Sequence, residues 1–393
     1  MKFNDTTSTQ HQTIIQQNHQ ILKFTTLTSH FLQPFSDKTS FLKGKTEDDI
    51  VWLHPQEIAD VTKPVLFADG AHSSDVKQGM IGDCWFLSSC STLASIPYLL
   101  KRIVVSHDEA IGRYTFQFYK EGKWRQVTVD DLIPCHKKTK KYMFSHGADP
   151  NELWVPLIEK AYAKLYGSYD QLNNGTTSEG LIDLTGGVPI KTLELNEKNK
   201  ETVWGLLKEN VEKYASSDQP FTEKGYLCIF STSSSKKEAQ DLGIILKHAY
   251  SILGAMEVSE GMTSHRLVKI RNPWGGFEWS GDWSDSSSLW TEGLMKQAGF
   301  SKQDDGTFWM SLEDFIKYFS EIQGVRVFNM DVFDSFQFGD SFDLIPNATL
   351  NGELLEEEHY LIKAPENCTV YISLAQYDYR YLGDAVSITI RGY

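Results

Sequence analysis

A chain of 393 residues exceeds one ordinary hydrophobic core, so two or three domains are expected. Its composition is globular, with 40% hydrophobic and 23% charged residues, and no run approaches the roughly 18 apolar residues of a transmembrane segment. A net charge of −14, from 38 basic and 52 acidic side chains, argues against a nucleic-acid binder and leaves carboxylates to gather around a hard cation.

Residues 1–30 are rich in Gln, Thr and His with only short apolar patches, and read as a polar tail. They lack the apolar core of a signal peptide. The five cysteines (Cys84, Cys90, Cys135, Cys228, Cys368) are odd in number and without zinc-like spacing, which reads as reduced thiols. A cytoplasmic protein is expected.

The folded body begins around Asp48-Asp49-Ile50-Val51-Trp52-Leu53-His54-Pro55. The stretch Gln78-Gly79-Met80-Ile81-Gly82-Asp83-Cys84-Trp85-Phe86-Leu87 sets two glycines before a cysteine and a dense apolar run after it. The spacing predicts a helix from about Cys84 to Ser95, with Trp85, Phe86, Leu87, Leu93 and Ala94 on its buried side. Residues 113–119 and 123–129 alternate around Glu121-Gly122, a hairpin signal. The basic cluster at 136–141 reads as an exposed loop, because the remainder of the chain is acidic.

A helix is predicted over 151–166, where Leu153, Trp154, Leu157, Ile158, Ala161 and Leu165 form a stripe and Pro156 is tolerable only in the first turn. The small, polar stretch 173–180 reads as a hinge between two lobes. Beyond it a helix is expected over 202–214, a buried strand over 225–231, and further strands over 248–258, 265–271 and 324–330. An aromatic, Gly-rich loop spans 272–290 and a short helical pattern spans 312–319. After Phe333 an acidic segment leads into alternating runs at 359–363 and 369–374. These read as the opening of a β-sandwich, and since about sixty residues are too few for a complete one, a truncated form is expected.

The chemistry-bearing residues fall in a definite order. A thiol at a helix N-terminus meets unpaired N–H groups and the positive end of the dipole, so Cys84 is expected to favour the nucleophilic thiolate. Gln78 offers an amide to a developing oxyanion. His248 opens Lys247-His248-Ala249-Tyr250-Ser251-Ile252-Leu253, where an imidazole at a strand entry can face a cleft. Asn272 stands in Arg271-Asn272-Pro273-Trp274-Gly275, with Trp274 able to cover it. Taken singly, a buried structural cysteine and a satisfied structural histidine are the plainer readings. The order Cys84, His248, Asn272 is that of papain-like proteases, whose His and Asn follow the Cys by roughly 130–150 residues. In that reading Cys84 attacks a carbonyl, His248 pairs with the thiolate and then protonates the leaving amine, and Asn272 orients the imidazole. Gln78 and the Cys84 backbone N–H form the oxyanion hole, and Trp274 shields the His–Asn bond.

QGMIGDCWFLSS, KHAYSI and IRNPWGGFEWSGDWSDSS resemble the three active-site blocks of the calpains, papain-fold proteases of the cytosol regulated by calcium. VWLHPQEI, NELWVPLIEKAYAKLYGSY, TSEGLIDLTGG and DDGTFWMSLEDF agree with that resemblance. It implies an α+β fold: a two-lobed papain-like cysteine protease core followed by the beginning of a β-sandwich. Lobe 1 would span 31–176, lobe 2 would span 177–332, and the sandwich would start within 333–393. It also implies an endopeptidase making limited cuts in protein substrates, with one or two calcium ions in the core. The first ion would take the Ala68 and Gly70 carbonyls with the Asp75 and Glu152 carboxylates. The second would take Glu278, Asp285, the Gln303 carbonyl and Asp305. Thr307 stands where the family usually has an acid, and Ser73 where it carries an arginine, which implies a weaker or different calcium requirement. No stretch fits the EF-hand loop pattern. A reading from another class is a catalytically silent, calcium-responsive protein-binding module on the same fold.

Overall fold

The computed structural model describes residues 49–211 and 226–328, with the short strands at 349–350 and 353–354. The tail at 1–30 lies outside the described residues. So does the sandwich at 333–393, apart from an antiparallel pair, Thr349–Leu350 with Glu353–Leu354.

The first core is built around helix α1, Cys84–Ala94. The sequence shows one apolar side, but the helix is buried almost all round: Ser88, Ser89, Ser91 and Thr92 are as inaccessible as Trp85 and Leu87. Hydroxyls tolerate this because each finds an acceptor. Ser88 and Ser89 donate to the Trp85 carbonyl, Thr92 to that of Ser88, and Ser91 to Ser73. Strand β1, Ile50–Leu53, opens the described chain; helix α2, Pro97–Ile103, follows α1 directly and leads into strand β2, Val104–Asp108. The expected hairpin is present as β3, Arg113–Lys120, and β4, Lys123–Asp130, with Glu121 and Gly122 both at positive φ in its turn. Strands β2, β3 and β4 form one antiparallel sheet.

Helix α3, Trp154–Tyr166, begins three residues later than the periodicity suggests, which leaves Pro156 inside the first turn, where it displaces no hydrogen bond. Its Tyr162 stacks on Phe86 of α1 at 3.9 Å between ring centroids. The passage read as a hinge gives way to helix α4, Thr177–Thr185, capped by the Thr176 hydroxyl, which accepts from the Glu179 N–H. Gly180 lets α4 lie against α1, since a Cβ there would press on Ser89 and the Trp85 carbonyl.

The second core is a sheet-and-helix layer. Helix α5, Lys200–Val211, and helix α7, Leu312–Tyr318, contribute side chains to a cluster over an antiparallel sheet. Its main strands are Tyr226–Ser233, Ala249–Glu260, Thr263–Arg271, Thr307–Ser311 and Glu321–Phe328. We label these β5 to β9 in that order, and their spatial order is β8-β7-β6-β5-β9. Ala249, at the start of β6, packs into the first core, whereas Tyr250 and Ile252 point into the second. The two cores therefore meet at the strand that follows His248. A smaller cluster under Trp283 and Trp290 holds helix α6, Glu292–Ala298, which begins just beyond the loop read over 272–290.

Among the described residues no helix is long and apolar enough to cross a membrane. Cys84, Cys90, Cys135 and Cys228 are free thiols.

Candidate active site

Cys84 is the first residue of α1, and the N–H of Ala249 on β6 reaches its sulfur. The strand that follows His248 is thus placed at the thiol by its own backbone. Burial nevertheless pushes the Cys84 thiol up, and the charge of Asp83 adds to this. These effects outweigh the N–H groups of Ala249, Trp85 and Cys84. The expected thiolate preference is therefore reversed: desolvation is larger than the help from the helix terminus.

His248 is buried, and its Nε2 lies 2.7 Å from Asn272 Oδ1. The Asn272 amide is oriented by its other contacts. Its Nδ2 donates to the carbonyls of Gly276 (2.8 Å) and Phe277 (3.2 Å), so the oxygen must face the imidazole. Nε2 then carries the ring proton and Nδ1 is the basic nitrogen. Burial holds the His248 pKa down to about 4, with the Asn272 hydrogen bond opposing. Trp274 lies over the imidazole at 4.7 Å, and Tyr250 meets it edge-on at 5.0 Å.

Gln78 enters from the first core. Its N–H donates to the Pro273 carbonyl at 2.9 Å, and its Oε1 accepts the Trp274 indole N–H at 2.7 Å. Its Nε2 donates to the Ile81 carbonyl at 2.7 Å, which leaves one amide hydrogen for a further acceptor. Gly79 is required here, because a Cβ would overlap the Phe144 backbone. Gln78, Trp274, His248 and Asn272 are thus linked by contacts between the two cores, and Cys84 meets Ala249, the residue after His248.

The candidate calcium residues form two groups. Asp75 and Glu152 are both buried beside one another. Asp75 Oδ2 accepts the His72 N–H at 2.6 Å, and Glu152 Oε1 accepts the Ala68 N–H at 3.1 Å. Burial, with Asp75 and Asp69 nearby, raises Glu152 to about 7, and burial raises Asp75. Gly70 sits in the same loop at positive φ. In the second group Glu278 accepts the Gly306 N–H at 2.8 Å, Asp285 accepts that of Gln303 at 3.2 Å, and Asp305 that of Thr307 at 2.8 Å. Burial, then Asp285, Asp304 and Asp305, raises Glu278 to about 7. Asp304 is an acidic neighbour that the sequence reading passed over, although it stands beside Asp305 in DDGTF. Among the described residues no three His, Cys, Asp or Glu side chains converge as a metal site on their own, so a cation at either place needs backbone oxygens as well.

A third feature was not foreseen. Asp83, immediately before Cys84, and Glu159 of α3 are neighbouring carboxyls, both fully buried. Burial raises Asp83 to about 7, and burial together with the Asp83 charge raises Glu159 well above the ordinary range.

Residues 32–326 match the family described as calpain family cysteine protease. Calpain-5 of Caenorhabditis elegans is 31% identical over 88% of this chain and 60% of its own length. Calpain-5 of Mus musculus is 34% identical over 76% of this chain and 49% of its own. The calpain-2 catalytic subunit of Gallus gallus is 36% identical over 70% of this chain and 38% of its own. The chain thus spans 38–60% of the length of these relatives.

Proposed function

From the premise that the chain belongs to the calpain family of cysteine proteases, we propose that it is a calcium-regulated, cytoplasmic cysteine endopeptidase making limited cuts in protein substrates. The observation that carries this reading is the oriented pair His248–Asn272, one residue from Ala249, whose N–H meets the sulfur of Cys84 at the start of α1.

The chemistry follows from the atoms available. The Cys84 sulfur attacks the scissile carbonyl as its proton passes to His248 Nδ1. The oxyanion that forms is met by the Cys84 N–H and by the remaining Gln78 amide hydrogen. His248 returns the proton to the departing amine, leaving a thioester, and water activated by the same imidazole releases the acid. Burial raises Cys84 and lowers His248, so each by itself leans to its neutral form, and proton transfer between them depends on close alignment. Calcium, when bound, would supply the positive charge that offsets the repulsion between neighbouring carboxylates. Asp75 and Glu152, with the Ala68 and Gly70 carbonyls, would hold one ion. Glu278, Asp285 and Asp305, with the Gln303 carbonyl, would hold a second, and Thr307 and Ser73 make that requirement weaker or different.

The test is hydrolysis of an unstructured protein such as casein, titrated with free calcium, with Cys84→Ala as control. Cleavage that rises with calcium and disappears in Cys84→Ala supports the proposal. Cleavage independent of calcium removes the switch, and no cleavage at any calcium level favours the silent binding module.

A further inference from the structure

Arg271 ends β7 and adjoins Asn272, and its side chain is fully buried. A guanidinium in such a place ordinarily has a carboxylate partner, because an unpaired buried charge is costly. Arg271 has no ion pair among the described residues, and its Nε meets no acceptor. Asp305, Asp75 and Glu278 act on it only through their fields.

Its contacts lie instead across the junction of the two cores. Nη2 donates to the carbonyls of Ser74 (3.0 Å) and Val76 (2.7 Å). Nη1 donates to Ser91 Oγ on α1 at 3.2 Å, and that hydroxyl donates to the Ser73 carbonyl at 3.0 Å. Every anchor is therefore on the segment 73–76 or tied to it. That segment runs directly into Gln78, whose own N–H returns to Pro273, two residues beyond Arg271. The Gln78 segment and the Asn272–Trp274 turn are joined by the Arg271 side chain, by the Gln78 N–H on Pro273 and by the Trp274 indole on Gln78 Oε1. A lysine lacks the planar fork that spans two carbonyls and a hydroxyl together.

We propose that Arg271 is a positioning residue that sets the Gln78 segment in register with the Asn272–Trp274 turn. One side chain thereby aligns the oxyanion donor with the group that orients His248. The catalytic half of this assignment rests on the protease reading given above; the clamp itself does not.

The experiment compares wild type with Arg271→Met and Arg271→Lys in three readouts. They are hydrogen exchange of segment 73–80, turnover of an unstructured protein, and alkylation of Cys84 by iodoacetamide, which develops no oxyanion. Arg271→Met is expected to speed exchange of 73–80 at least about tenfold and to lower turnover about 10²-fold, the scale of an ångström-sized misplacement. Alkylation should change by no more than about twofold, because it needs only the thiol and its base. Arg271→Lys should recover part of the turnover, and Gln78→Ala added to Arg271→Met should cost little more. Unchanged exchange overturns the clamp. Equal losses of turnover and alkylation overturn the positioning role in favour of a purely structural one. If Arg271→Met does not fold, Ser91→Ala, which removes one anchor, is read in the same three ways. A wild-type chain that neither cuts nor alkylates overturns the protease reading, and the exchange result then decides the clamp alone.

Discussion

The indole N–H of Trp274 donates to Gln78 Oε1 at 2.7 Å, so the ring that covers His248 also holds the carboxamide proposed for the oxyanion hole. One aromatic side chain fixes the positions of two groups that come from different cores.

Trp274→Phe keeps a ring over His248 and removes only that hydrogen bond. We expect kcat to fall about tenfold with little change in KM, because the donor is needed most in the transition state. Gln78→Ala should cost about 10²-fold in kcat. Steady-state kinetics on a fluorogenic peptide checks both, and a larger effect for Trp274→Phe than for Gln78→Ala would show that the indole acts otherwise.

The buried Asp83 carboxyl makes stability depend on pH. Its folded pKa, about 7, lies above the ordinary 3.8, so its proton is held more tightly in the folded chain. That contribution is complete below about 3.8 and is lost as pH rises through about 7. The melting temperature should therefore decline as pH rises through neutrality, and the decline should be shallower in Asp83→Asn. The same substitution removes a charge that raises the Cys84 thiol, so the pH profile of iodoacetamide alkylation should move to lower pH. A thermal scan and an alkylation series across neutral pH measure the two effects.

Glu152 and Asp75 are adjacent buried carboxyls that repel one another when both are ionised. Glu152→Gln removes one charge while keeping the shape. It should stabilise the chain in chelator and raise the free calcium needed for half-maximal cleavage at least about tenfold, as expected for loss of an anionic oxygen ligand. Calorimetric titration with calcium gives a readout independent of activity, and an unchanged affinity would count against this group as a binding site.

Gly79 passes against the Phe144 backbone with no room for a side chain. Gly79→Ala should destabilise the fold by about 1–3 kcal/mol, the usual range for overpacking. Chemical denaturation measures this, and a neutral result would mean that the segment carrying Gln78 moves freely.

Much of the local structure was legible in the sequence. The dense run after Cys84 marks α1 because burial demands large apolar side chains there, and the turn at Glu121-Gly122 marks the hairpin. Pro156 limits where α3 can begin. The hinge reading of 173–180 failed over its second half because Thr, Ser and Gly have weak helix propensity; here tertiary contact with α1 overrides it. The serines of α1 gave no sign of burial, since only neighbouring acceptors make a buried hydroxyl affordable.

By itself, the sequence determined the family, the order of Cys84, His248 and Asn272, and the elements that carry them, because these follow from residue type and spacing. Only the tertiary structure decided the charge state and aim of those groups. The raised pKa of the thiol, the ring nitrogen facing Asn272, the Gln78 amide held by Ile81 and Trp274, and the Arg271 guanidinium held by two carbonyls and a hydroxyl all depend on burial and on contacts between distant segments. Desolvation and hydrogen-bond geometry are properties of a packed interior, and no window of sequence contains them.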